Sequence, residues 1–83
     1  MRLVEVIPHP IFKISVYSHD LHYYIEIEGG PMKQCFKFSK ELVSAEKGGI
    51  TALLDEAFLG QVKTVFDTMH QNFSDAIRRY KSH

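Results

Sequence analysis

The stretch Asp55–Lys81, DEAFLGQVKTVFDTMHQNFSDAIRRYK, decides the fold. At 100° per residue, Phe58, Val62, Val65, Phe66, Met69, Phe73, Ile77 and Tyr80 fall within one apolar stripe. Thr64, Asp67, Gln71, Asp75 and Arg78 point away. That period predicts an amphipathic helix with one face made for burial. Carried backwards, the same wheel would bury Asp55, and a buried carboxylate without a partner is costly. Asp55 therefore reads as the N-cap, with Glu56 in the first turn, where the helix dipole favours an acid. Arg78, Arg79 and Lys81 stand at the other end, where it favours cations. Ile50–Leu54 becomes a short separate helical turn. Gly60 costs the helix up to about 1 kcal/mol relative to alanine, and close approach to a sheet is the expected reason for it.

Upstream, the period changes from 3.6 to two. In Leu21–Glu28, Leu21, Tyr23, Ile25 and Ile27 share one face, and His22, Tyr24, Glu26 and Glu28 share the other. In Ile11–Tyr17, Phe12, Ile14 and Val16 oppose Lys13, Ser15 and Tyr17. Ser18-His19-Asp20 is a turn by composition. Gly29-Gly30 suits a two-residue hairpin turn with positive φ at both positions. That turn predicts a register. Glu26 opposes Lys33, Tyr24 opposes Cys35 and His22 opposes Lys37, while Ile27 meets Met32, Tyr23 meets Phe36 and Leu21 meets Phe38. Ile25 then faces the polar Gln34, and Pro31 beside the turn leaves a shifted register open. Leu3–Ile7 is a short strand before Pro8-His9-Pro10, with its place in the sheet open. Lys40–Gly49 has no period and reads as a loop.

The expected fold is α+β in a single domain, residues 1–83. An antiparallel β-meander of three to four strands is followed by one long amphipathic C-terminal helix packed on one sheet face. Such a helix is roughly 40 Å long, whereas strands of seven or eight residues reach only ~25 Å. The stripe nevertheless continues to its end. Phe73, Ile77 and Tyr80 are therefore expected to form an interface, and a homodimer is the expected assembly.

Composition narrows the function. Ten basic and ten acidic side chains cancel, whereas a dedicated duplex-DNA binder carries the positive excess that phosphate neutralisation demands. Zero net charge also removes a barrier to self-association. A single cysteine forms no internal disulfide. Glu5 and Pro8 interrupt the apolar start too early for a signal peptide. No apolar run approaches the ~20 residues that span a bilayer. No membrane association is expected, and the expected location is the cytoplasm.

Catalytic patterns are missing. Of the five histidines, His19 and His22 flank a turn, with Asp20 between them, and no HExxH or second cysteine joins them; no metal site is assigned. His9 belongs to a rigid proline turn, His70 follows Asp67 by one helical turn, where a simple surface pair is expected, and His83 is terminal. Cys35 has Lys33 and Lys37 nearby but no assigned base, so a half-buried strand thiol is expected. Glu26 and Glu28 are neighbours on one strand face, but Glu26 has Lys33 to neutralise it. Neither glycine pair has the surroundings of a phosphate loop. No catalytic residue and no cofactor is assigned. What remains is the outer sheet face, with Lys13, Tyr17, His22, Tyr24, Lys33, Cys35 and Lys37. The expected function is a small non-enzymatic protein-interaction module that self-associates. The alternative is a single-stranded nucleic-acid binder using Tyr17, Tyr24, Lys13, Lys33 and Lys37, since aromatics stack bases and lysines hold phosphates.

Overall fold

All the alternating segments become strands of one sheet. The computed structural model describes residues 1–82. It contains β1 (Arg2–Ile7), β2 (Lys13–His19), β3 (His22–Gly29), β4 (Met32–Ser39), two single 3₁₀ turns (Lys40–Leu42 and Ala45–Lys47), α1 (Gly49–Leu53) and α2 (Glu56–Lys81). The strands follow the order β1-β2-β3-β4, each antiparallel to the next. This is the expected α+β meander with a long C-terminal helix. Leu3–Ile7 does join the sheet, as an edge strand, with an irregularity between Leu3 and Glu5 where Val4 is the extra residue.

The β3–β4 register differs from the expected one by two residues. Gly29 faces Met32, Ile25 faces Phe36, Tyr23 faces Phe38 and Ile27 faces Gln34. The turn is Gly30-Pro31 rather than Gly29-Gly30. Gly30 alone takes a positive φ, 62°, and the fixed negative φ of Pro31 completes a turn of the primed, glycine-first kind. A slip of two residues keeps every side chain on its face, so the inside–outside division stands. Gln34 remains the polar residue on the inner face, and the helix explains it. Its amide Nε2 donates to the Val62 carbonyl at 3.0 Å.

The β2–β3 turn also moves, to Asp20-Leu21, with His19 facing His22. Asp20 takes the left-handed conformation, φ 55°, which aspartate tolerates better than most residues. Leu21 is thereby lost from the inner face and is exposed, not paired with Phe38.

Asp55 caps α2 as expected, its Oδ1 accepting from the Phe58 amide at 2.9 Å. The helix runs 26 residues without a break. Val62 and Phe66 are buried against Phe12, Ile14, Val16, Ile25 and Ile27. Phe58 meets Phe36 edge to face at 5.3 Å, and Phe66 meets Phe12 at 5.6 Å. Phe66 also lies directly over Gly29. The helix thus leaves the sheet at the end that carries the β3–β4 turn. Two expectations about it fail. Val65 sits at the margin of the stripe and is exposed. Gly60 faces open space, with nothing within 4 Å of an added Cβ, so close sheet contact does not account for it.

Candidate functional site

The outer sheet face has no element packed over it, and the register sorts its residues into rows. One row runs Leu3, Tyr17, Tyr24, Lys37 across all four strands. Lys37 Nζ stands 5.7 Å from the centroid of the Tyr24 ring, a cation–π distance. A second row runs Lys13, Glu28, Lys33. Here the charges neutralise one another. Lys33 Nζ lies 3.0 Å from Glu26 and 3.9 Å from Glu28, and Lys13 lies 3.9 Å from Glu28. The hydrogen bond from Lys33 to Glu26, with the nearby carboxylate charges, raises the lysine pKa above its ordinary value. The Glu26–Lys33 pair thus forms as expected, but diagonally, because Glu26 directly faces Cys35.

Of the seven residues singled out on this face, the fold brings Tyr17, Tyr24 and Lys37 together. It ties Lys13 and Lys33 to carboxylates. His22 stands at the far end, facing His19 and Ser39 rather than Lys37. Cys35 is an exposed free thiol, next to Glu26 and not Tyr24. Among the described residues no group of three or more histidines, cysteines or carboxylates is arranged to hold a metal, and His83 lies outside them. His9 is engaged locally, its Nδ1 accepting from the amides of Ile11 and Phe12, both at 3.1 Å. No helix in the described residues is long and apolar enough to cross a membrane.

The second surface is the helix beyond the sheet. Met69 is the last stripe residue packed on the core. Past it, Phe73 is 58% exposed, Ile77 38% and Tyr80 77%. Phe73 and Ile77 line a shallow trough with Ser74, Arg78 and Lys81. Arg78 pairs with Asp75 at 2.9 Å. Arg79 and Lys81 have no ionic partner among the described residues.

A third feature escaped sequence reasoning. Between β4 and the arch of residues 40–54 lies a half-open cavity of about 290 Å³, lined by Ile25, Phe36, Phe38, Leu42, Leu53 and Phe58. Its walls are almost wholly apolar. The available signal was the pair of apolar doublets, Leu42-Val43 and Leu53-Leu54, inside a segment that otherwise shows no period. Leu54 is buried, but Leu42 is 75% exposed and Leu53 46%, so the rim of the cavity is apolar as well.

No family model matches this chain, and neither a curated protein nor a solved structure matches it.

Proposed function

We propose that this chain is a small cytoplasmic interaction module, acting by binding rather than by catalysis, whose first partner is a second copy of itself. The observation that carries this reading is the helix stripe beyond Met69. Large apolar residues on the surface are ordinary when scattered. Phe73, Ile77 and Tyr80 are instead the continuation of the one face of α2 that is buried elsewhere. Covering a side chain of that size is worth roughly 1.5–3 kcal/mol. A monomer of this size has little other core to forgo it for.

Sedimentation velocity on the wild type and on Phe73→Asp tests the proposal. The wild type should sediment as a dimer at tens of micromolar. The variant, with unchanged circular dichroism because position 73 is outside the core, should sediment as a monomer. A wild type that stays monomeric at millimolar concentration sinks the reading.

The second reading, single-stranded nucleic acid on the outer face, rests on the row of Tyr17, Tyr24 and Lys37. It is weaker, because the other two lysines of that face already have carboxylate partners and the net charge is zero. Absence of oligonucleotide binding at low salt removes it.

A further inference from the structure

The side-chain charge of this molecule is zero in total but not in distribution. Residues 1–39 balance, with Arg2, Lys13, Lys33 and Lys37 against Glu5, Asp20, Glu26 and Glu28. Residues 57–70 balance, with Lys63 against Asp67. Residues 40–56 do not. Glu41, Glu46, Asp55 and Glu56 outnumber Lys40 and Lys47 by two. The overhang, residues 71–82, has the opposite excess, with Arg78, Arg79 and Lys81 against Asp75. One end of α2 is thus acidic by two charges and the other basic by two. Each charged end adjoins an uncovered apolar feature. The acidic arch forms one wall of the 290 Å³ cavity, and the basic end holds the exposed apolar side chains of Phe73 and Ile77.

We infer that the overhang of one copy docks on the cavity of a second copy, reciprocally, with the two α2 helices antiparallel. This rests on the self-association proposed above and names the surfaces. The exposed side chains of Phe73 and Ile77 cover the apolar rim at Leu42 and Leu53, and the basic turn faces Glu41, Glu46 and Glu56. Three observations favour this occupant. The charges of the two patches are equal and opposite, which fixes orientation as well as attraction. Antiparallel helices also oppose their dipoles head to tail, the favourable sense. Finally, area requires reciprocity. A single overhang-to-rim contact buries only the few hundred Å² that two or three large side chains bring. Two such contacts about a two-fold axis reach the roughly 1,000 Å² that a specific interface must clear. Phe58 and Ile77 are nineteen positions apart, or about 28 Å along the helix. The axis therefore crosses near residue 67, close to the exposed Val65.

Charge reversal with rescue tests the docking. Arg79→Glu with Lys81→Glu, at exposed positions outside the core, should weaken the dimer at least tenfold in sedimentation equilibrium at 50 mM salt. Glu41→Lys with Glu46→Lys should do the same. Mixing the two double variants gives heterodimers in which one contact is native and the other pairs the two reversed patches, so both are complementary and affinity should return to within about threefold of wild type. Wild-type dimers whose affinity ignores both reversals overturn this docking while leaving self-association intact. A wild type that never dimerises overturns both. Mass that grows past the dimer with concentration overturns the reciprocal arrangement in favour of an open chain of copies.

Discussion

At Gly29 an added Cβ would stand 3.0 Å from Cε2 and 3.1 Å from Cδ2 of Phe66. Phe66 is buried and its ring is held against Phe12, so it has little room to retreat. The neighbouring Gly30 faces open space but holds a positive φ. The two adjacent glycines therefore serve different ends, one the approach of the helix and one the turn. Both roles cannot be separated from the letters GG alone, because the first depends on a ring thirty-seven residues away. That is why the expected register was off by two. Gly60 is the contrast. It is exposed, helical and free of neighbours. Gly60→Ala should stabilise the protein by up to about 1 kcal/mol through helix propensity, whereas Gly29→Ala should destabilise it by about 1–3 kcal/mol through overpacking. Urea denaturation of the two variants checks this pair. Equal effects of the same sign would show that the ring over Gly29 is mobile or that Gly60 has an unseen role.

At the scale of elements, periodicity identified β2, β3, β4 and the long helix, because burial of one face writes a repeat into the sequence; β1, which buries no face, carries no such signal. It could not show where burial stops. Phe66 and Phe73 occupy equivalent places in the stripe, yet one is 4% exposed and the other 58%. The difference lies in strand length, which ends the sheet beneath the helix before the stripe ends. The same cause hid the cavity, whose walls come from β4 and from an arch without a period. Of the outer face, the membership of each residue was legible from alternation, but not the pairing of Lys33 with two carboxylates, since that needs the true register. The division of α2 predicts uneven local stability. Backbone amides from Val62 to Phe66 should exchange with solvent only through global unfolding, and those from Phe73 to Tyr80 through local fraying, many-fold faster, in dilute protein. Raising the concentration into the dimer range should slow exchange in the second group by the larger factor, since the dimer covers those residues directly. Hydrogen-exchange mass spectrometry at two concentrations measures both. Protection of the last three turns in a verified monomer would mean that the overhang needs no partner.

At the scale of the whole molecule, the long dimension is 54 Å and the short one 19 Å. A chain of 83 residues drawn out this far keeps a small core for its surface. Among the described residues eight hydrophobic side chains are buried, and five of them belong to strands β2 and β3 or to the residue just before β2. β1 contributes none, and Leu3, Val4 and Val6 stay exposed on it. If the chain self-associates as proposed, mass action makes its stability depend on concentration. If folding and dimer formation are coupled, each tenfold rise in protein concentration adds about 1.4 kcal/mol per dimer, or about half that per chain. For a domain of this size that corresponds to a rise in Tm of roughly 3–5 °C per decade. Tm itself should fall at each concentration between 50 mM and 1 M salt, because the Debye length falls from over 10 Å to about 3 Å and screens the attraction between the acidic arch and the basic overhang. The rise per decade should persist, since mass action sets it and the apolar part of the contact survives screening. Calorimetry from 5 μM to 500 μM at both salts separates the contributions. A Tm constant across that range would show that the monomer is stable on its own and that the uncovered stripe of α2 contributes nothing to holding the chain folded.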